Sequence, residues 1–313
     1  MDYNHPDLID NRWVNPGTLP GSTYGYSALN PELDPMDSDS HGTHVAGTIG
    51  ASGNNGTGVV GVNWNVTLLP CQFLGPSGGS TAGAIECINY FTDLKLNHGV
   101  DIKATNNSWG GGGYSETLRA AIQSGGDAGI LFIAASGNDG GNADSAPMYP
   151  AAYDLDVIVS VASTDRNDNM SGFSNYGLTS VDLGAPGSAI LSTVPGNSYA
   201  TYSGTSMASP HVAGVAALVW SHFPDCTNAQ IRNALADSAA DLGNPGRDTS
   251  YGFGLVQSKA AIDYLTEFGC DGDGSDVEPP PSIGLSRISS MPRLSDVDLL
   301  ASACLKRCAR TET

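Results

Sequence analysis

The run LFIAASGNDGG at residues 131–141 decides the fold class of this chain. An unbroken apolar run that ends in small residues and a glycine turn is typical of a strand buried on both faces of a sheet. We predict that this strand runs from residue 130 to residue 135. Further β-rich runs occupy residues 66–73, 102–106 and 157–162. These runs predict four buried strands.

Helical patterns separate these strands along the chain. Residues 81–96 and 114–128 are predicted helices, and Thr81 and Ser115 lie near their expected N-termini. Alternation of strand and helix is the pattern of a parallel sheet whose faces are both covered. We therefore predict an α/β fold of three layers, a parallel sheet with helices on both faces.

The chain is strongly acidic, with 13 Lys and Arg residues against 32 Asp and Glu residues and a net charge of −19. Such a surface repels phosphate backbones and anionic lipids, so nucleic acid and membranes are not expected partners. Apolar runs all fall short of the roughly 18 residues that a spanning helix needs. The start MDYNHPDLIDN lacks the features of a signal peptide, so an export signal is expected outside this sequence.

The six cysteines include no CxxC pair, which argues for disulfides and against structural zinc. A bond between Cys226 and Cys270 would bracket a helical segment, and its loop closure would stabilise the fold by about 4 kcal/mol. Cys71 and Cys87 could close a smaller loop, for about 3 kcal/mol. Buried free thiols are the alternative for this second pair.

The composition changes near residue 270, where the globular domain of residues 1–270 is predicted to end. Residues 271–281 are acidic and then proline-rich, as in a linker. From residue 282 to 313 the chain has five basic and three acidic residues. Because this tail differs so much from the rest, we interpret it as disordered or as the product of an out-of-frame gene end. Its Cys304 and Cys308 alone would make an incomplete metal site.

Three segments carry residues suited to nucleophilic catalysis. In SGTSMASPHVAGVAALVW, residues 203–220, Ser206 follows a glycine turn at the start of an apolar helix. Helix N-termini favour negative charge, so the N–H group of Ser206 could stabilise an oxyanion. A serine at such a place is often only a helix cap.

The second segment is HGTHVAGTI, residues 41–49, in which His41 begins a helix and is a candidate general base. His44 is predicted to be a packed structural histidine. A metal pair of His41 and His44 is the alternative, but the sequence has no HExxH arrangement and no evident third ligand. The third segment, AASGN at residues 134–138, places Asn138 in a turn where its amide could donate to an oxyanion; the alternative is an ordinary turn residue.

Together these segments resemble the motifs of the subtilase family of serine peptidases, over about residues 1–265. The serine comes last among His41, Asn138 and Ser206, whereas in α/β-hydrolases the catalytic serine comes first along the chain. The alternation of strands and helices differs from the all-β fold of chymotrypsin-like enzymes. The resemblance implies a subtilisin-like fold and a serine endopeptidase that acts on extracellular protein. It implies Ser206 as nucleophile, His41 as base, Asn138 as oxyanion donor and Thr205 as its support. No cofactor is needed for this acyl transfer.

The resemblance also implies a substrate cleft. Residues 74–79 and 108–111 would form two glycine-rich edges that pair with an extended peptide, unless they are ordinary loops. Met148 would form the base of the pocket for the residue before the scissile bond, predicting a preference for apolar or aromatic side chains. Asp39 would border the next subsite and favour a basic residue. The implied substrate-binding residues are Asp39, Leu74, Gly75, Gly78, Ser108, Trp109, Gly110, Ser136, Gly137 and Met148.

A structural calcium site is implied by the run GNNGTGVVGV, residues 53–62. Oxygen-rich ligand sets suit this hard cation, and an Asn/Gly turn without metal is the alternative. The implied ligands are the side chains of Asp7 and Asn55 with the carbonyl groups of Gly53, Thr57 and Val59. Polypeptide substrates and a monomeric state are the remaining expectations about partners.

One member of the family's catalytic triad is not matched. The family's aspartate lies in a D-[ST]-G-[IV] motif at the end of the first strand, before a stretch like the DYNHPDL found here at residues 2–8. We therefore expect this aspartate, its strand, the signal peptide and the prosegment to precede Met1. Asp2 and Asp39 are not expected to reach the far nitrogen of His41. This fragment is accordingly expected to be weak or inactive, and a catalytically inactive peptide-binding pseudoprotease is the alternative.

Overall fold

A computed structural model of the protein describes residues 1–76 and 78–272. The predicted linker beyond residue 272 and the predicted tail at 282–313, with Cys304 and Cys308, lie outside the described residues. The strands are β1 (Tyr26–Ser27), β2 (Cys71–Gln72), β3 (Leu74–Gly75), β4 (Gly78–Gly79), β5 (Ala104–Asn107), β6 (Leu131–Ala135), β7 (Ile158–Thr164), β8 (Leu183–Pro186), β9 (Ile190–Val194) and β10 (Ser198–Tyr202). The helices are α1 (His41–Gly50), α2 (Thr81–His98), α3 (Glu116–Asp127), α4 (Thr205–His222), α5 (Asn228–Asp237) and α6 (Ser258–Phe268).

The main sheet has four parallel strands in the order β5-β6-β7-β8. In its register Ala104 lies opposite Leu131 and Phe132 lies opposite Ile158. Helices α2 and α3 alternate with its first strands, as the sequence pattern predicted. Among the described residues no strand pairs with the free edge of β5.

The segment at 66–73 belongs to a separate small sheet. Only Cys71–Gln72 forms a strand there, parallel to β1, and an isolated parallel bridge joins Arg12 to Leu68. The predicted strand at 66–73 is therefore found only in part.

Helices cover both faces of the main sheet. Leu131 and Ile133 point to the face where Val212, Val219 and other residues of α4 pack, together with α5 and α6. Phe132 and Ala134 point to the opposite face, which α2 and α3 cover; the helix residues in that cluster are Ala84, Ile88, Leu118, Ala121 and Ile122. Successive side chains of β6 point to opposite faces of the sheet, so this strand contributes to both hydrophobic clusters. The predicted three-layer α/β fold is confirmed.

Side chains cap the two helices α2 and α3. Ser115 accepts a hydrogen bond from Leu118 N–H at 3.3 Å and caps α3, as predicted. Ser80, which precedes the predicted Thr81, caps α2 by accepting from Gly83 N–H at 3.1 Å. Both caps satisfy N–H groups that a first helical turn leaves without a partner.

Both predicted disulfides are present. Cys71–Cys87 joins β2 to α2, and Cys226–Cys270 joins the chain before α5 to the chain after α6. The free-thiol alternative for Cys71 and Cys87 is therefore wrong. In the part of the chain that the structure describes, none of the helices has both the length and the apolar character needed to cross a membrane.

Candidate active site

Helices α1 and α4 begin at the same edge of the molecule. The C-terminal end of α1 lies at the start of the 66–73 segment, because a Cβ atom on Gly50 would be 3.5 Å from Leu68 Cδ1. The C-terminal end of α4 lies at the start of β5, where Lys103 Nζ is 5.1 Å from the Trp220 ring. Both helices therefore run antiparallel to these strands and begin near the carboxyl ends of the strands. The sites of open α/β sheets usually lie at these ends.

Contacts to β10 bring the beginnings of α1 and α4 together. The Ser40 and Tyr202 hydroxyl groups are hydrogen-bonded at 2.8 Å, so the residue before His41 is tied to the strand that leads into α4. His44 is fully buried, stacks on Tyr202 with ring centroids 4.4 Å apart, and bonds through Nε2 to the Ala200 carbonyl at 3.1 Å. The prediction that His44 is a packed structural histidine is confirmed.

Asp37, not Ser40, caps the helix that carries His41. Its Oδ2 atom accepts from the Thr43 N–H at 2.7 Å, and its Oδ1 atom accepts from the Ser40 N–H at 3.0 Å. Ser40 itself has a left-handed φ of 87° and makes no side-chain cap. The carboxylate thus fixes the backbone on both sides of His41.

The His41 imidazole is held in its neutral form. Burial lowers its pKa below the ordinary 6.5, and the opposing effects of the Asp39 and Asp37 charges are smaller. Within the described residues, no hydrogen bond to the ring contributes to this pKa. A neutral ring can accept a proton near pH 7, which is what a general base requires.

Ser206 lies in the first turn of α4, next to the end of β5. Its Oγ atom donates a long hydrogen bond of 3.4 Å to the Ser108 carbonyl, and Ser108 Oγ donates to the Ser206 carbonyl at 2.8 Å. N–H groups in the first turn of a helix have no acceptor within the helix. The hydroxyl and the local N–H groups can therefore act on the same bound group.

Asn138 lies against the same turn. Its Oδ1 atom accepts from the Thr205 N–H at 2.8 Å and from Thr205 Oγ1 at 3.0 Å. Thr205 Oγ1 in turn accepts from the Gly137 N–H at 3.2 Å. Because Thr205 occupies the oxygen end of the amide, the Nδ2 end remains free to donate to a bound group.

The two segments expected to form the cleft differ in structure. Leu74–Gly75 and Gly78–Gly79 form an antiparallel hairpin, while Ser108 and Trp109 follow β5 directly. Met148 lies between two glycines: a Cβ atom would be 3.2 Å from its Sδ if built on Gly110 and 3.1 Å from its Cε if built on Gly137. Gly137 also has a φ of +110°, which side-chain-bearing residues rarely adopt. Ser136 is buried beneath this turn, and Asp39 is close enough to His41 to affect its pKa.

Sequence reasoning missed Asn175, which holds the turn at residues 136–141. It is buried; its Oδ1 accepts from the Asp139 N–H at 2.9 Å and its Nδ2 donates to the Ser136 carbonyl at 3.1 Å. No local pattern marks this residue, because its partners lie more than 30 positions earlier. Asp37 was also missed, although an acidic residue before a predicted helix is a common sign of a cap.

The expected calcium loop surrounds the buried carboxylate of Asp7. Its Oδ1 atom accepts from Asn55 Nδ2 at 2.8 Å, while its Oδ2 atom accepts from the Val59 N–H and the Tyr199 hydroxyl, both at 2.9 Å. Thr57 donates its N–H to Asn55 Oδ1 at 3.0 Å. No group of three or more His, Cys, Asp or Glu residues able to hold a metal occurs in the described ranges. Neutral oxygen atoms would therefore have to supply most of the ligands.

Comparisons with known proteins find relatives that cover most of this chain. The sequence profile of the Subtilase family matches residues 1–254. Alkaline elastase YaB of Bacillus sp. (strain YaB) is 44% identical over 238 residues, which is 76% of this chain and 59% of the relative. Subtilisin Savinase of Lederbergia lenta is 42% identical over 237 residues, 76% of this chain and 82% of the relative. The thermophilic serine proteinase of Bacillus sp. (strain AK1) is 38% identical over 265 residues, 84% of this chain and 60% of the relative.

Proposed function

The chain belongs to the subtilase family, and on this premise we propose that it is a serine endopeptidase that hydrolyses peptide bonds of extracellular proteins. The observation that carries the proposal is the position of Asn138, whose oxygen end is bound to Thr205 beside Ser206. This arrangement leaves an amide donor and a hydroxyl nucleophile at one place. Since the chain spans 59% of the elastase's length, the activity is a proposal for the chain itself.

The reaction is acyl transfer. His41 takes the proton of Ser206 as the hydroxyl attacks a peptide carbonyl, and it then returns the proton to the leaving amine. Asn138 and the Ser206 N–H stabilise the oxyanion of the tetrahedral intermediate. A water molecule, activated by His41, releases the acyl group, so the chain's own residues complete the turnover without a cofactor.

Labelling with a fluorophosphonate tests this assignment, because only an activated serine reacts quickly with such a probe. We expect labelling of the full chain at Ser206 and its loss in Ser206→Ala. Ser221→Ala changes an exposed serine of the same helix and should leave the labelling intact. A folded chain that remains unlabelled would reject the proposed activity.

One observation favours a second candidate, a catalytically inactive peptide-binding protein. Among the described residues no carboxylate forms a hydrogen bond with His41, and in a subtilase the loss of the triad aspartate lowers kcat by about 3 × 10⁴-fold. This candidate predicts a peptide that binds to the proposed edges at residues 74–79 and 108–111 but is not cleaved. Mass spectrometry of the bound peptide after long incubation separates the two functions.

Met148 and Asp39 are the proposed specificity residues. The thioether of Met148 between Gly110 and Gly137 favours apolar or aromatic side chains before the scissile bond, and Asp39 favours a basic residue at the next subsite. A peptide-library profile that shows acidic residues preferred at both subsites would reject these roles. Trp109, Gly75 and Gly78 complete the proposed edges of the cleft.

We also propose a structural calcium ion at the loop around Asp7. The carboxylate oxygen atoms and nearby carbonyl groups are hard ligands that suit this cation. The ion would be held by the side chains of Asp7 and Asn55 and by the carbonyl groups of Gly53, Thr57 and Val59. The side-chain amide of Asn55, whose nitrogen now faces Asp7, would have to rotate so that its oxygen faces the ion. Adding CaCl₂ at constant ionic strength should raise the unfolding temperature, and Asp7→Asn should remove this effect.

An extracellular location and a monomeric state complete the proposal. The disulfides Cys71–Cys87 and Cys226–Cys270 support an oxidising compartment, since such bonds rarely persist in the cytosol. Sedimentation of the purified chain tests the monomer. Expression with a secretion signal should give more oxidised protein than cytosolic expression does.

A further inference from the structure

Helix α4 carries a proline four residues after the proposed nucleophile. Pro210 is buried inside the helix and has no N–H group, so the Ser206 carbonyl lacks the donor that an α-helix supplies four residues later. A proline ring also crowds the carbonyl four residues before it, which bends a helix at that point. Backbone groups that are shielded from water normally have a partner. The Ser206 carbonyl therefore needs a donor from outside its own helix.

Ser108 supplies that donor. Its Oγ atom is 2.8 Å from the Ser206 carbonyl oxygen, an ordinary length for a hydroxyl donor. Ser108 is buried and follows the last residue of β5, so its position is fixed by the main sheet. In the other direction, Ser206 Oγ donates to the Ser108 carbonyl over a long 3.4 Å. The short bond thus holds the backbone of Ser206, while the long bond leaves its hydroxyl free to react.

Asn106 orients the Ser108 hydroxyl. Asn106 Nδ2 donates to Ser108 Oγ at 3.0 Å, and Asn106 Oδ1 accepts from Ser209 Oγ at 2.8 Å. A serine hydroxyl has one hydrogen, and since Ser108 Oγ accepts from Asn106, this hydrogen is directed to the Ser206 carbonyl. Asn106 and Ser108 lie two positions apart in an extended segment, so both side chains face α4. The carboxyl end of β5 is therefore bonded to α4 at two points, Ser206 and Ser209.

Partners outside the helix hold the nucleophile from both sides. On the N-terminal side, Asn138 Oδ1 accepts from the Thr205 N–H at 2.8 Å. On the C-terminal side, Ser108 donates to the Ser206 carbonyl. Asn138 lies in the turn after β6 and Ser108 follows β5, and these two strands are neighbours in the sheet. The direction in which the Ser206 side chain leaves the backbone is thus set by two strand ends and not by the helix alone.

We propose that Ser108 is a positioning residue for Ser206, and that its hydroxyl replaces the helix donor that Pro210 lacks. The replacement connects the nucleophile to residues 108–111, the proposed peptide-binding edge. A peptide that pairs with this edge would then contact the residue that holds the nucleophile in place. Only this effect on the nucleophile rests on the proposed function; the exchange of donors does not.

The test compares the full chain with Ser108→Ala, Pro210→Ala and the combined variant. Pro210→Ala returns an N–H group to position 210, where it can donate to the Ser206 carbonyl four residues earlier. In urea unfolding, Ser108→Ala should reduce the folding equilibrium constant by roughly tenfold, the effect of one lost hydrogen bond. In the Pro210→Ala background the same change should have an effect of less than about twofold, because the two donors replace one another.

Hydrogen exchange reports the replacement directly. The amide at position 210 should exchange more slowly in the combined variant than in Pro210→Ala, because Ser108 no longer competes for the Ser206 carbonyl. If Ser108→Ala alone does not fold, the combined variant should still fold, since it has the helix donor. A combined variant that is unfolded, or an amide at position 210 that exchanges as fast as one exposed to solvent, would overturn the proposal.

The rate of fluorophosphonate labelling measures the effect on the nucleophile. Ser108→Ala should slow labelling of Ser206 by roughly tenfold, and Pro210→Ala should restore most of this loss in the combined variant. Ser221→Ala is the matched control, because Ser221 Oγ donates to the Leu218 carbonyl at 2.7 Å near the other end of the same helix. This variant should label at the rate of the parent chain. A merely structural role of Ser108 would slow labelling equally with and without Pro210, and that result would overturn the proposal.

Two further outcomes separate this positioning role from the peptidase activity. Coupling of Ser108 and Pro210 in urea unfolding, without labelling of any variant, would reject the proposed peptidase but support the exchange of donors. Labelling of every variant at one rate, with additive effects in urea unfolding, would support the peptidase and overturn the positioning role.

Discussion

In the proposed mechanism, Asn138 would support both the fold and the chemistry. Its oxygen accepts from Thr205, while its nitrogen is free to stabilise an oxyanion. Asn138→Asp keeps the acceptor and removes the donor, so we expect it to slow acylation of Ser206 by about 10² to 10³-fold, as other losses of one oxyanion donor do. Labelling rates measure this effect.

Two further variants complete this test. Asn138→Ala removes both the oxygen and the nitrogen of the side-chain amide and should also lower the free energy of unfolding. Asn138→Asp should lower this free energy less. Asn97→Ala, at an exposed position of α2, is the control for both measurements. An unchanged labelling rate in Asn138→Asp would exclude Asn138 as a donor.

His211 links protein stability to pH. Burial lowers its pKa below 6.5, and its Nδ1 atom is 2.8 Å from the Met207 carbonyl. Below pH 6.5 the unfolded chain binds a proton at this histidine, and the folded chain does not. The free energy of unfolding is therefore highest above this pH and decreases as the pH falls. We expect a loss of up to about 1.4 kcal/mol per pH unit for each such histidine.

Urea unfolding between pH 8 and pH 5 measures this dependence. Burial also lowers the pKa values of His41 and His44, so several histidines contribute. His211→Gln should reduce the slope, and Asn97→Ala, which replaces an exposed side chain that does not titrate, should not. A free energy of unfolding that is constant over this range would contradict the role assigned to buried histidines.

At the scale of elements, the contact between α1 and β9 depends on a glycine. A Cβ atom on Gly47 would collide with the hydroxyl groups of Ser192 and Thr193. Both hydroxyls donate to carbonyl groups of α1, at 2.7 Å to His44 and 2.8 Å to Thr43. We expect Gly47→Ala to lower the free energy of unfolding by about 1–3 kcal/mol, as overpacking of a core does.

The same variant should slow labelling of Ser206, because α1 carries His41. Gly113→Ala is the matched control, since a Cβ atom there meets nothing within 4 Å. Urea unfolding of both variants gives the comparison. Equal stability of Gly47→Ala and the parent chain would show that β9 can move away at no cost.

The elements differ in how well the sequence predicts them. β6 was predicted to within one residue, because an apolar run needs only burial on both faces to form a strand. The backbone pairing of the 66–73 segment is interrupted, with an isolated bridge at Leu68 and a ladder only at Cys71–Gln72, so its apolar run forms just two strand residues. The hairpin of β9 and β10 was missed, although its three-residue loop at 195–197 has the sequence Pro-Gly-Asn, and Gly196 and Asn197 take the positive φ angles common in short hairpin loops.

The candidate site was predictable to a similar extent. Ser206, His41 and Asn138 each lie in a local motif, and motifs are visible in one sequence. Asn175 and the pairing of Ser40 with Tyr202 depend on contacts between distant segments, which no local pattern records.

For the whole molecule, the net charge of −19 predicts that stability depends on salt. Like charges repel most in the compact state, and raising the ionic strength from about 0.01 M to 0.5 M shortens the screening length from about 30 Å to below 10 Å. We expect NaCl to add about 1 kcal/mol of stability, or about 2–4 °C in Tm. Choline chloride should act equally, because screening depends on ionic strength and not on the cation. A rise in Tm with CaCl₂ alone would instead assign the effect to the loop around Asp7. A fall in Tm with every salt would mean that attractive charge pairs outweigh the repulsion.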